Sequence, residues 1–207
     1  MDPNSATPYR QIRASHNART ITVYQAYSAA IAIPAVREQR LSASPHFSFT
    51  RMTWIKPSWC WMMYRSGYSY KDPNQAHILA LSRTHENFEK LLSEAVVHQG
   101  KAMDEEARRK DVRVQWDPER SFRLEQLPYR SIQIGISGEV GKRWVEEWID
   151  GIEDVTERTR GLKSALDDKH VLLEELGSRG CMPMETEYKM SAKLREILEM
   201  DVRNERK

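Results

Sequence analysis

Asp111–Pro118 reads DVRVQWDP and Arg130–Ile136 reads RSIQIGI. In the first segment Val112, Val114 and Trp116 alternate with Arg113, Gln115 and Asp117. In the second, Ile132, Ile134 and Ile136 alternate with Ser131, Gln133 and Gly135. A repeat of two sends successive side chains to opposite faces of an extended chain, so the spacing predicts two strands with an aliphatic face and a polar face. Gln133 belongs to the polar face.

Further strands are expected on the N-terminal side. RTITVYQAY (Arg19–Tyr27) is rich in β-branched and aromatic residues and reads as a strand. SAAIAIPAVREQR shifts to helical patterning, with Pro34 at a helix start or kink. Pro57 and Ser58 open a helix running to Arg65, which Ser66-Gly67 ends. HILALSR (His77–Arg83) suits a buried strand and passes into Thr84, an N-cap for a helix whose Phe88, Leu91, Leu92, Ala95 and Val96 share one face. Lys101–Lys110 reads as a charged turn, and WDPER (Trp116–Arg120) as a turn opened by Asp-Pro with local ion pairs or a catalytic carboxylate.

After Ser137 helical spacing dominates. Trp144, Val145, Trp148, Ile149 and Ile152 form one stripe, Leu162, Ala165, Leu166, Leu173 and Leu176 another, and Leu194, Ile197 and Leu198 mark a last helix. Strands before residue 137 and helices after it predict an α+β fold with a mixed or antiparallel sheet. The expected layout is a flexible tail at residues 1–8, an α+β core over 9–151, and a helical C-terminal extension over 152–207 packed on that core.

Charge is unevenly placed. Residues 1–65 hold eight Lys/Arg and two acids, whereas residues 66–207 hold 24 Lys/Arg and 28 acids. Between Glu38 and Asp72 there is no carboxylate, and Phe47–Tyr70 packs eight aromatic residues around Arg51, Lys56 and Arg65. Cations beside stackable rings suit a phosphate-bearing planar ligand such as a nucleotide; a solvated basic face or a simple aromatic core gives the same composition. No apolar run is long enough for a membrane span, and MDPNSATPYR lacks the order of a secretory signal. Cys60 and Cys181 form no CxxC, so a reducing compartment, cytoplasmic or nuclear, is expected.

Several familiar chemistries lack their fingerprints. The histidines at 16, 46, 77, 85, 98 and 170 show no HExxH spacing, so no metal is expected. GxGxxG, GxxxxGK[ST] and GxSxG are also absent. In the helix after Pro57, Ser58, Trp61 and Arg65 share a face with Tyr64 beside them, so Arg65 or Lys56 could meet phosphate and Trp61 or Tyr64 a ring. Arg10, Arg13, Arg19 and His16 approach the first strand as a diphosphate clamp or as a solvated basic loop. Arg130 and Gln133 stand at the entrance and on the polar face of a later strand, turned to the same site or to solvent.

YRQIRASHNARTITVYQAYS (Tyr9–Ser28), RMTWIKPSWCWMMYRSGY (Arg51–Tyr68), VRVQWDPER (Val112–Arg120) and LPYRSIQIGISGE (Leu127–Glu139) resemble the family catalogued as domain of unknown function 4291. The likeness runs on to MPMETEYKMSAKLREILEM (Met182–Met200). The order of parts is more distantly similar to the ADP-ribosyltransferase superfamily. That resemblance implies NAD as substrate, with Arg13 or Gln25 meeting the nucleotide, Ser58 and Tyr64 framing nicotinamide and its ribose, and Gln133 or Glu139 in the late acidic position. The chain departs from the superfamily's Q/E-x-E pattern: the late strand offers Gln133, and Glu139 follows a glycine. The expected function is an ADP-ribosyltransferase-like NAD or nucleotide-binding enzyme; the competing expectation is an RNA or single-stranded nucleic-acid binding module, with Trp54, Trp59 or Tyr68 stacking bases.

Overall fold

The computed structural model describes residues 7–98, 105–168, 173–178, 180 and 182–200. In chain order the elements are β1 (Arg13–Ala14), β2 (Thr20–Tyr27), α1 (Ala29–Glu38), β3 (Thr53–Ile55), α2 (Trp59–Ser66), β4 (His77–Thr84), α3 (His85–Ser93) and β5 (Ala95–Val97). There follow α4 (Glu105–Arg109), β6 (Val112–Arg120), β7 (Gln126–Ile136), α5 (Gly138–Glu147), β8 (Gly151–Asp154), α6 (Thr156–Asp167), α7 (Leu173–Ser178), β9 (Thr186–Glu187) and α8 (Ala192–Ile197). Among the described residues helices and strands alternate along the chain, with α1 to α4 before residue 137 and β8 and β9 after it, so the protein is a mixed helix-and-sheet one without the segregation expected at residue 137.

Two sheets organise the molecule. The first has the order β3-β7-β6-β5, antiparallel except for the parallel β5–β6 pair, and the second is the antiparallel trio β2-β4-β8. They meet where Tyr24 and Lys56 exchange backbone hydrogen bonds of 2.7 and 3.0 Å. The alternation read at Val112–Trp116 and Ile132–Ile136 is realised in β6 and β7: all six apolar side chains are at most 2% exposed. Each contributes about 1.5–3 kcal/mol relative to an exposed position. This face joins Ile21, Val23, Leu79 and Leu81 from the second sheet in one core. A second core forms behind the other sheet face, where Tyr24, Ile78 and Ala80 meet Trp59, Met62 and Met63 of α2 and Leu162 and Leu166 of α6.

Four expectations are corrected. Ala95 and Val96 leave the helix face read after Thr84, because α3 stops at Ser93 and both residues lie in β5. WDPER is not a turn, because β6 runs through it to Arg120, with a register irregularity between Pro118 and Arg120. Proline lacks the N–H that a regular ladder needs and fits where the ladder is broken. Ile152 leaves the helical stripe, since α5 stops at Glu147 and Ile152 lies in β8 opposite Leu81. Residues after 151 are therefore no purely helical addition: β8 completes the second sheet, and β9 pairs with β1. The tail expected at 1–8 lies outside the described residues except for residues 7 and 8, as does the first part of the charged turn, whose remainder forms α4. Among the described residues no helix is long and apolar enough to cross a membrane.

Candidate functional site

The junction of the sheets leaves a cleft of about 570 Å³, within the size range of small-ligand sites. The end of β2 brings Gln25 and Tyr27 to it, β3 brings Thr53 and Trp54, and Lys56 follows directly. Phe47 and Arg51 arrive from the segment before β3, Met62 and Arg65 from α2, and Gln133 from the polar face of β7. Helix α2 can present Arg65 here because both its ends are fixed. Ser58 Oγ accepts the Trp61 N–H at 3.1 Å, and Gly67, at φ +56°, closes the helix by donating to Met63 O.

Polar groups in the cleft are only partly matched. Gln25 is 2% exposed; its Nε2 donates to Thr53 Oγ1 and, at 3.4 Å, to Trp54 O, but its Oε1 is buried without a partner among the described residues. An unmatched buried acceptor costs about 1–3 kcal/mol unless a ligand or water supplies the donor. Gln133 Nε2 donates to Gln115 Oε1 at 2.8 Å and to Asp117 Oδ2 at 2.6 Å. Burial raises the Asp117 carboxyl above its ordinary range against the Gln133 bond and the charges of Arg130, Lys56 and Arg120. Lys56 is 4% exposed, and its amine is held down to about 7 by burial and then by Arg65, with Asp117 opposing. Arg65 is exposed, and its side chain makes no hydrogen bond or ion pair with another described residue.

Of the residues expected from sequence, Gln25, Lys56, Arg65 and Gln133 converge on this cleft. The others go elsewhere. Ser58 is 1% exposed and donates to Glu119 Oε1 at 3.0 Å while capping α2. Trp61 stacks on Tyr64 at 5.1 Å, and the Arg120 guanidinium lies 3.9 Å over the Tyr64 ring. Arg13 donates to Glu185 O at 3.1 Å and to Gln11 Oε1 at 3.3 Å. Arg10 is paired with Glu199 at 3.0 Å, and Arg130 donates to Tyr9 Oη at 2.9 Å and to Trp116 O at 3.3 Å. Glu139 is exposed in the first turn of α5 and paired with Lys142 at 2.6 Å. Phe47, Arg51 and Thr53 were not singled out as binding residues, although all three fall inside the acid-free window, which was the available signal.

A second group of charges supports α2 from outside the cleft. Glu185 Oε1 accepts the Trp59 N–H at 2.6 Å, and Glu119 accepts from Ser58 and from the Arg120 N–H. Burial pushes the Glu185 carboxyl up to about 8, with the Trp59 bond opposing, Glu119 reinforcing and Arg13 opposing. Glu119 is likewise raised, chiefly by burial. Carboxylates at a helix N-terminus satisfy donors that have no partner within the helix. Among the described residues no group of three or more His, Cys, Asp or Glu side chains is arranged to hold a metal ion.

A comparison with curated proteins finds no match. A family profile described as Domain of unknown function (DUF4291) matches residues 11–188. That span takes in both sheets, the cleft, α2 and β9, and the chain therefore belongs to the family described as Domain of unknown function (DUF4291).

Proposed function

We propose that the protein binds a nucleotide, NAD or a close relative, in the cleft between the sheets and acts on it as an ADP-ribosyltransferase-like enzyme. The observation that carries this reading is the composition of the cleft wall. Arg51, Lys56 and Arg65 line it together with Phe47 and Trp54, and among the described lining residues Asp72 is the one carboxylate. Arg51 and Arg65 would take the phosphate oxygens, for which a planar fork of N–H donors is suited. Trp54 and Phe47 would hold the planar ring. Gln25 Oε1, buried and without a partner among the described residues, would accept an N–H from a carboxamide or an exocyclic amine.

Cleavage of the nicotinamide–ribose bond develops positive charge on the ribose. Groups already oriented toward that charge accelerate the step without reorganising. The hydrogen-bonded Asp117–Gln133 pair is the candidate for this role, with Gln133 at the cleft wall and Asp117 behind it. Tyr64 and Glu139 have no part in this scheme, since one is stacked under Arg120 and the other is paired on α5.

The test is a thermal-shift panel with NAD, ADP-ribose, ATP and a short RNA. A nucleotide site gives saturable stabilisation by at least one of the first three. Arg65→Ala lowers that affinity by about tenfold or more, the loss of one charge-assisted contact, while the melting temperature without ligand stays within about 2 °C. An RNA-binding module would instead respond to the RNA with an affinity that falls steeply with salt. Unfolding of the Arg65 variant would make that residue structural.

A further inference from the structure

Lys56 is an unusual lysine by its position. It follows β3, its Tyr24 backbone pair locks it at the junction of the sheets, and its side chain is 4% exposed yet lines the cleft. Among the described residues no carboxylate forms an ion pair with the amine, and Nζ has no hydrogen-bond partner. The charged groups acting on it are Arg65 from α2 and Asp117 from β6, with Arg51 on the same cleft wall. A phosphate-binding lysine is charged and solvated, or paired. This one is desolvated beside a like charge, the arrangement that keeps an amine in its nucleophilic form.

We infer that Lys56 is a nucleophilic amine that condenses with the carbonyl group of a phosphate-bearing aldehyde seated in the cleft. The inference rests on the anion-binding cleft proposed above and adds a chemical step to it. The Lys56 nitrogen lone pair attacks the carbonyl carbon, and the carbonyl oxygen takes up a proton to give a carbinolamine. Loss of water removes that oxygen together with the two amine protons and leaves a C=N bond. No oxidant or reductant takes part. Asp117, hydrogen-bonded to Gln133 and acting on Lys56 through its charge rather than by contact, is the candidate to pass protons during the dehydration by way of the water released. Arg51 and Arg65 hold the phosphate, and an amine already near neutral at about 7 is available at physiological pH. The nucleotide reading supplies one member of this ligand class, because the free ribose of ADP-ribose opens to an aldehyde.

The experiment uses the full-length chain with pyridoxal 5′-phosphate as probe at pH 7.5, followed by borohydride reduction and peptide mass mapping. The expected result is one reduced adduct per chain, at Lys56, formed on the order of tenfold faster than at surface lysines such as Lys71 or Lys142. Lys56→Met, which keeps an unbranched apolar stem in the buried position, abolishes that adduct. Arg65→Ala slows labelling by pyridoxal 5′-phosphate several-fold more than labelling by pyridoxal, which lacks the phosphate and feels only the loss of the neighbouring charge. Equal labelling of Lys56 by the two probes, adducts spread over the surface lysines, or an unmodified Lys56 would each overturn the inference. Pyridoxamine 5′-phosphate, which cannot condense, separates the two proposals. If it or ADP-ribose stabilises the protein while Lys56 stays unmodified, the anion cleft stands and the imine falls; if neither stabilises it and Lys56 stays unmodified, both fall.

Discussion

Ser58 shows how one residue can be legible in type and misread in role. A serine at the start of an aromatic helix was expected to frame a nicotinamide ring, and the structure seats it as the cap of α2, with its own proton on Glu119. Both partners are buried, so deleting the hydroxyl leaves an unmatched backbone donor and a carboxyl short of one donor. Ser58→Ala should lose about 1–2 kcal/mol, a fall of roughly 2–8 °C in melting temperature by calorimetry. An unchanged melting temperature with loss of the ligand response would restore the role implied by the resemblance. Gln25 was reached only through the distant resemblance, whereas Gln133 was legible from the sequence itself. Strand parity fixes the face of each side chain, and parity is a local property of the sequence. The pairing of Arg10 with Glu199, or of Arg13 with Glu185 O, depends on residues more than 170 positions away, and no local pattern carries it.

At the level of elements, strands and helices with strong periodicity were readable, and their ends were readable where a cap marked them. Thr84 caps α3 through the Asn87 N–H, and Gly67 closes α2, both as the spacing indicated. The errors fall where a local signal competes with pairing. Asp-Pro announces a turn, but β6 has β7 alongside it and absorbs Pro118 at an irregularity of the ladder. Trp144 to Ile152 keeps a helical repeat after the helix has ended, because Asp150-Gly151 turns the chain into β8 and Ile152 pairs with Leu81. Two glycines in helical segments make opposite predictions from the same logic. Gly161, inside α6, has nothing within 4 Å of a built Cβ, so Gly161→Ala should stabilise by about 0.5–1 kcal/mol and raise the melting temperature by roughly 1–4 °C. Gly67 has φ +56° and its Cβ would lie 2.8 Å from Lys71 Cβ, so Gly67→Ala should destabilise by about 1 kcal/mol or more. Guanidinium denaturation of the two variants side by side decides both, and a loss in the first would mean that α6 is distorted at that point.

Across the whole molecule, the C-terminal segment closes the fold over its N-terminal part, and the closure carries a protonation signature. Tyr188 N–H donates to Ile12 O at 2.8 Å, Trp116 Nε1 donates to Leu198 O at 2.9 Å, and Glu185 accepts the first N–H of α2. The Glu185 carboxyl titrates near 4.5 when unfolded and near 8 in the folded chain. Between those values the folded state binds the proton that the unfolded state has released, so this group's contribution falls as pH rises from about 4.5 to about 8. Lys56 acts in the other direction at higher pH. Its folded value of about 7 lies below the ordinary 10.5, so from 7 upward the unfolded state holds the extra proton and stability recovers. Glu185→Gln keeps an acceptor for the Trp59 N–H and removes the ionisation. Melting curves from pH 5 to 8 should therefore show wild type losing stability relative to this variant as pH rises, by an amount that levels off near pH 8. Parallel curves for the two proteins would mean that Glu185 is solvated in the folded state, and the tie between the C-terminal segment and α2 would then have to rest on the backbone pairing of β1 with β9 and on the Arg13 bond to Glu185 O.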